Sequence, residues 1–157
     1  MWEVDPRKYV GVTKADEQNE QDVITAFCRW AKCDYFKLAD RERIDYALYR
    51  IGDDKRKHVV ALAEVKCRYN HDFYRFQDLV LSLHKRAHCV MYADAAGGIP
   101  VYFLSRHNEG IFYVEMREEI SDCRIIKDPR MRDESDETVG VIWKGSCIKK
   151  LPDQGVK

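Results

Sequence analysis

No apolar run in the 157 residues approaches the roughly 20 needed to cross a bilayer, so a membrane-spanning helix is not expected. Glycine is scarce, with 8 residues, and nowhere gathers into a loop that would cradle phosphate; the one polar turn of that length, GDDKRK (52–57), does not resemble such a loop. None of the six cysteines forms a C-x-x-C pair, and Cys28, Cys67 and Cys89 fall inside apolar patterns, so reduced, buried thiols of a cytoplasmic protein are expected. Net charge is missing as well: 27 basic residues balance 27 acidic ones. That balance argues against a bulk electrostatic binder of DNA but leaves room for a local basic groove. The opening MWEVDPRKYV has no signal-peptide character, and no internal repeat is found. The length fits one domain, residues 1–157, with a sizeable core and a flexible tail from about residue 146.

What is present centres on HVVALAEVKC (58–67), in which six of ten residues are Val, Ala or Leu. Side chains alternate along a strand. Val59, Ala61, Ala63, Val65 and Cys67 share one face; His58, Val60, Leu62, Glu64 and Lys66 share the other. Both faces are apolar in the middle, which predicts a central strand covered on both sides. Glu64 and Lys66 therefore lie on a face that begins as core, where a charge needs a partner or water. IDYALYRI (44–51) reads as a second strand, and the short link GDDKRK predicts an antiparallel hairpin between the two. Such a hairpin brings Asp45, at the start of the first strand, beside Glu64 and Lys66, at the end of the second.

The flanks supply the rest of a domain. A helix is predicted from Thr13, as N-cap, to about Lys32, with Glu20, Val23, Ile24, Phe27 and Ala31 on its inward face. Tyr35–Leu38 is a candidate first strand. Phe73, Phe76, Val80, Leu83 and Ala87 recur at helical spacing and predict a second helix over about Asp72 to Arg86. Short apolar runs at 89–93, 100–104 and 111–115 predict strands, and Val139 to Trp143 a late one. DPRMRDESDE (128–137) reads as a loop. His84 and His88, four apart, have the spacing of half a zinc site but lack an evident third ligand.

Ile44-Asp45 followed nineteen residues later by Glu64-Val65-Lys66, on a strand hairpin, resembles the PD-(D/E)XK nuclease superfamily, in its small single-domain resolvase-like or phage-type form. Ile stands where the superfamily's name has Pro. The resemblance covers about residues 15–105. It implies an α/β (α+β) fold with a restriction-endonuclease-like core, a mixed sheet flanked by helices in the order αβββαβ. It further implies a divalent-metal-dependent deoxyribonuclease, an endonuclease using Mg²⁺ or Mn²⁺, in which Asp45, Glu64 and the Val65 carbonyl hold the metal and Lys66 works on the attacking water or the transition state. By the same likeness Glu20 of the first helix and Gln77 of the second belong near the site. Arg41, Arg43, Arg68 and Arg75 flank the centre and are candidates for phosphate contact. DNA is the expected partner, no membrane is expected, and a homodimer is expected if the aromatic strands near 100–115 form an interface rather than a core. The alternative is a catalytically weak or inactive nucleic-acid-binding protein on the same fold. A third reading makes AEVKC the ordinary strand end of an unrelated α/β binding domain.

Overall fold

The computed structural model describes residues 14–39, 42–69, 72–127 and 137–153. Thr13, Arg41 and residues 128–136 of the expected loop lie outside the described residues. Helix α1 (Lys14–Ala31) carries Asp16 and Glu17 in its first turn and Arg29 in its last, charges placed to suit the helix dipole. Its buried stripe is Val23, Ile24, Phe27 and Cys28. Strands β1 (Asp34–Lys37), β2 (Tyr46–Ile51) and β3 (Lys57–Cys67) follow as an antiparallel meander. Strand β5 (Val101–His107) runs parallel to β3 on its other side, so β3 is central, and β6 (Gly110–Glu115) returns antiparallel to β5.

Between β3 and β5 the chain departs from the expected single helix. It makes a short α2 (Phe73–Phe76), a strand β4 (Asp78–Ser82) and then α3 (Leu83–Ala95). The helical stripe read from the sequence is mostly outside: Phe76 is 48% and Leu83 40% exposed. Period two wins instead, because Leu79 and Leu81 are 1% and 2% exposed and pair with Trp143 and Val141. Gln77 stops α2 in the left-handed region (φ 49°), and the Ser82 side chain accepts the Lys85 N–H to start α3. The strand expected at 89–93 is therefore helix, with Cys89 and Ala93 turned inward. Gly97 and Gly98, at φ 96° and 78°, follow its end.

Two sheets result. The larger has the order β1-β2-β3-β5-β6-β9, where β9 is Lys149–Lys150; the smaller has the order β4-β8-β7, with β7 (Asp122–Lys127) and β8 (Glu137–Lys144). β7 gave no sequence signal because nearly all of it is exposed. The core is divided by the large sheet. Val23, Ile24 and Phe27 of α1 pack with Tyr46, Leu48, Ala61, Ala63 and Val65 on one face. Leu62, Phe103 and Val114 meet Cys89 and Ala93 of α3 and Leu79, Leu81, Val141 and Trp143 of the small sheet on the other. Each such large apolar side chain contributes roughly 1.5–3 kcal/mol by leaving water. The strands at 100–115 are core, since Val101, Phe103, Leu104, Ile111, Phe112 and Val114 are buried. The tail expected to fray from about 146 is held through residue 151: β9 pairs with β6, Leu151 N–H donates to the Ile111 carbonyl at 2.8 Å, and the Leu151 side chain is buried. Among the described residues no helix is long and apolar enough to cross a membrane. The order α1-β1-β2-β3-α3-β5, with a mixed sheet, is the restriction-endonuclease-like core, into which α2 and β4 are inserted.

Candidate active site

Register places the carboxylates. Tyr46 pairs with Ala63, so the next pair outward sets Asp45 opposite Glu64. Asp45 is fixed at both ends: its carbonyl accepts the Leu38 N–H at 2.9 Å, and its Oδ2 accepts the Val65 N–H at 2.9 Å. Glu64 follows Leu62 on the α3 face and is 1% exposed. Its Oε1 lies 3.6 Å from Lys66 Nζ and 3.4 Å from Lys85 Nζ. Its Oε2 is buried and accepts no hydrogen bond.

A buried carboxylate beside another carboxylate resists ionisation. Burial first, and then the Asp45 charge, push Glu64 up to about 7, against the opposing pull of Lys66 and Lys85. Burial and the Glu64 charge likewise push the Cys89 thiol beneath it up to about 12, so that thiol stays neutral. Glu20 enters from α1. Burial and the Asp45 charge raise it too, and Lys37 joins the two, with Nζ 3.7 Å from Glu20 Oε2 and 3.7 Å from Asp45 Oδ1. Lys37 also lies over the Tyr46 ring at 4.7 Å. Three carboxylates from α1, the β2 end and β3 thus interleave with Lys37, Lys66 and Lys85.

Asp45, Glu64, Val65, Lys66 and Glu20 lie together at this end of β3. Arg68 follows on the same strand end, its guanidinium 5.9 Å from the Phe103 ring centre. The others point elsewhere. Gln77 is exposed at the end of α2, and the Arg75 guanidinium sits over Phe76 at 5.2 Å. Arg43 reaches His84 Nε2 at 3.4 Å and His88 Nε2 at 3.2 Å. A guanidinium only donates, so both Nε2 atoms act as acceptors toward Arg43 in this arrangement. Lys37 and Lys85 were missed. Lys85 is three residues past Ser82 in a helix start, S-L-H-K, that the assumption of one continuous helix concealed. Lys37 ends a four-residue strand with little apolar pattern.

The donor set suits a hard divalent ion. Among the described residues no three His, Cys, Asp or Glu side chains are grouped to hold a metal alone. Mg²⁺ is commonly bound by one or two carboxylates with several waters retained. Asp45 and the unpartnered Glu64 Oε2 fit that pattern, and the lysines at Glu64 Oε1 occupy its other oxygen.

The profile of the family described as "Phage putative PDDEXK endonuclease" matches residues 7–136. Among solved structures, the chain is similar to Hjc, a Holliday junction resolvase from the archaeal hyperthermophile Archaeoglobus fulgidus, at 14% identity over 83% of this chain and 84% of that one, with a TM-score of 0.49. No curated protein matches the sequence.

Proposed function

Because the chain belongs to the phage PD-(D/E)XK endonuclease family, we propose that it is a divalent-metal-dependent nuclease acting on DNA. The observation that carries this reading is Glu64: a carboxylate 1% exposed, with one oxygen unpartnered, beside a second carboxylate and two lysines. Burying it so is unfavourable for folding and finds its use when a cation is shared with Asp45.

Asp45 and Glu64 would hold Mg²⁺ or Mn²⁺, with the Val65 carbonyl as a further oxygen donor. The bound ion supplies charge neutralisation at the phosphate and a water of lowered pKa. The remaining work falls to side chains. The Val65 N–H holds the Asp45 carboxylate still. Lys66 Nζ keeps a proton beside Glu64 and offers it to the oxygen on which charge develops, or orients the attacking water. Lys85 Nζ, which donates to the Arg43 carbonyl at 2.8 Å, fixes Glu64 from the opposite element. Glu20 and Lys37 set the Asp45 side of the site. All six cysteines are free thiols, which suits work in the reducing cytoplasm.

The test is cleavage of supercoiled plasmid, single-stranded and branched DNA with Mg²⁺, Mn²⁺ or EDTA. Metal-dependent cutting that EDTA abolishes is expected. A folded protein that binds these substrates and cuts none would support the inactive binding protein instead.

A further inference from the structure

Strand β3 continues past the carboxylates, and beyond them its end forms one wall of a second feature. Lys66 and Arg68, the first turn of α3 with Lys85, and strands β4 and β7 enclose a cleft of about 450 Å³. Among the described residues its lining carries four cations, Lys66, Arg68, Lys85 and Lys127, and no carboxylate. In a chain with 27 basic and 27 acidic residues that is a local separation of charge. Two of the four, Lys66 and Lys85, also contact Glu64 Oε1. One end of the cleft is therefore separated from the buried Glu64 carboxylate only by the two lysines that contact it. Lys127 faces it from β7, in the small sheet that the αβββαβ core does not include.

Three observations define the occupant. The cations suit a polyanion. The volume falls within the roughly 300–1,000 Å³ of small-ligand sites, which admits a nucleotide or two of one strand and not a duplex. Among the described residues no aromatic ring lines the cleft, so bases have no stacking platform there and contact falls on the backbone. The far wall is also set closely. A Cβ on Gly140 would stand 2.6 Å from Ile126 Cδ1, so a larger residue there would displace Ile126, a lining residue.

We infer that this cleft is a track for a single DNA strand, in which Lys127 and Arg68 hold backbone phosphates next to the scissile one. The inference rests on the nuclease reading and makes the small sheet a substrate-binding element.

The test is fluorescence anisotropy in EDTA with a labelled oligothymidylate and with a blunt duplex of equal length, over a range of salt. Lys127→Ala is expected to weaken strand binding several-fold and to lower the slope of log K against log salt by about 0.7. Lys127→Arg restores both. Lys57→Ala, which removes a cation from over the Tyr49 ring at the distant hairpin turn, changes neither. Lys127 is exposed, so its variants should melt as the wild type does. Strand binding and slope unchanged in Lys127→Ala overturn the inference, as does an equal loss on the duplex. If the wild type cuts DNA while Lys127→Ala binds normally, the track fails and the nuclease reading stands. Strand binding that needs Lys127 in a protein that cuts nothing supports the track and sinks the nuclease reading.

Discussion

Burial and the Asp45 charge press Glu64 toward its neutral form, and the consequence is a stability that depends on pH. Its carboxyl moves from 4.5 to about 7 on folding. Between those values the folded chain holds a proton that the unfolded chain has lost, so stability falls as pH rises through that window and stays lower above it. Glu64→Gln should therefore stabilise the metal-free protein at pH 8, by ~2 kcal/mol after the loss of two lysine contacts offsets part of the gain. Thermal melts in EDTA should show the gain vanish near pH 4.5. In parallel melts without EDTA, Mg²⁺ should raise the wild type and leave Glu64→Gln unmoved. A destabilised Glu64→Gln at pH 8 would instead mark Glu64 as an ordinary structural group. Lys85 acts on the same carboxyl from the other side by favouring its ionised form. Lys85→Met should thus shift the acid limb of the pH–rate profile upward; a profile that keeps its position would remove Lys85 from the site. Asp45, Glu64 and Lys66 were legible because a hairpin with a short polar link leaves only one pairing of its ends. Lys37 and Lys85 were not, since an isolated lysine looks the same in sequence whether it faces water or a buried carboxylate.

The β4 segment shows why the second helix was misread. Phe73, Phe76, Val80, Leu83 and Ala87 satisfy helical spacing, yet Leu79 and Leu81 satisfy strand spacing in the same residues. What decides is β8, some sixty residues on, whose Trp143 and Val141 pair with them. Such long-range pairing leaves no local trace. The two assignments differ measurably. Leu81→Ala should cost about 2–5 kcal/mol in denaturant unfolding, as a fully buried leucine does. Phe76→Ala and Leu83→Ala, at exposed positions, should each cost under ~1 kcal/mol. The reverse order would restore the single helix. Ser82→Ala, removing the cap of α3, should cost about 1 kcal/mol and loosen Lys85 as well.

Over the whole molecule the sequence pattern identified the catalytic core and overlooked what is built onto it. α1 and the β1–β3 meander follow from amphipathic spacing and turn chemistry, and β5 and β6 from apolar runs. The small sheet was largely invisible because β7 is exposed and β4 resembled a helix. The same addition places Lys127 in the cleft that Lys66 and Lys85 also line, so substrate specificity is expected to reside in the part that the αβββαβ pattern leaves out. A nuclease centred on Glu64 requires Lys66 to act in chemistry and not in folding. Single-turnover cleavage of supercoiled plasmid in Mg²⁺ by the wild type and by Lys66→Ala tests this most directly. The prediction is a loss of roughly 10²–10⁴-fold in the variant, the range of a positioned proton donor or acceptor, with its melting temperature preserved. Equal cleavage by a well-folded Lys66→Ala would contradict it.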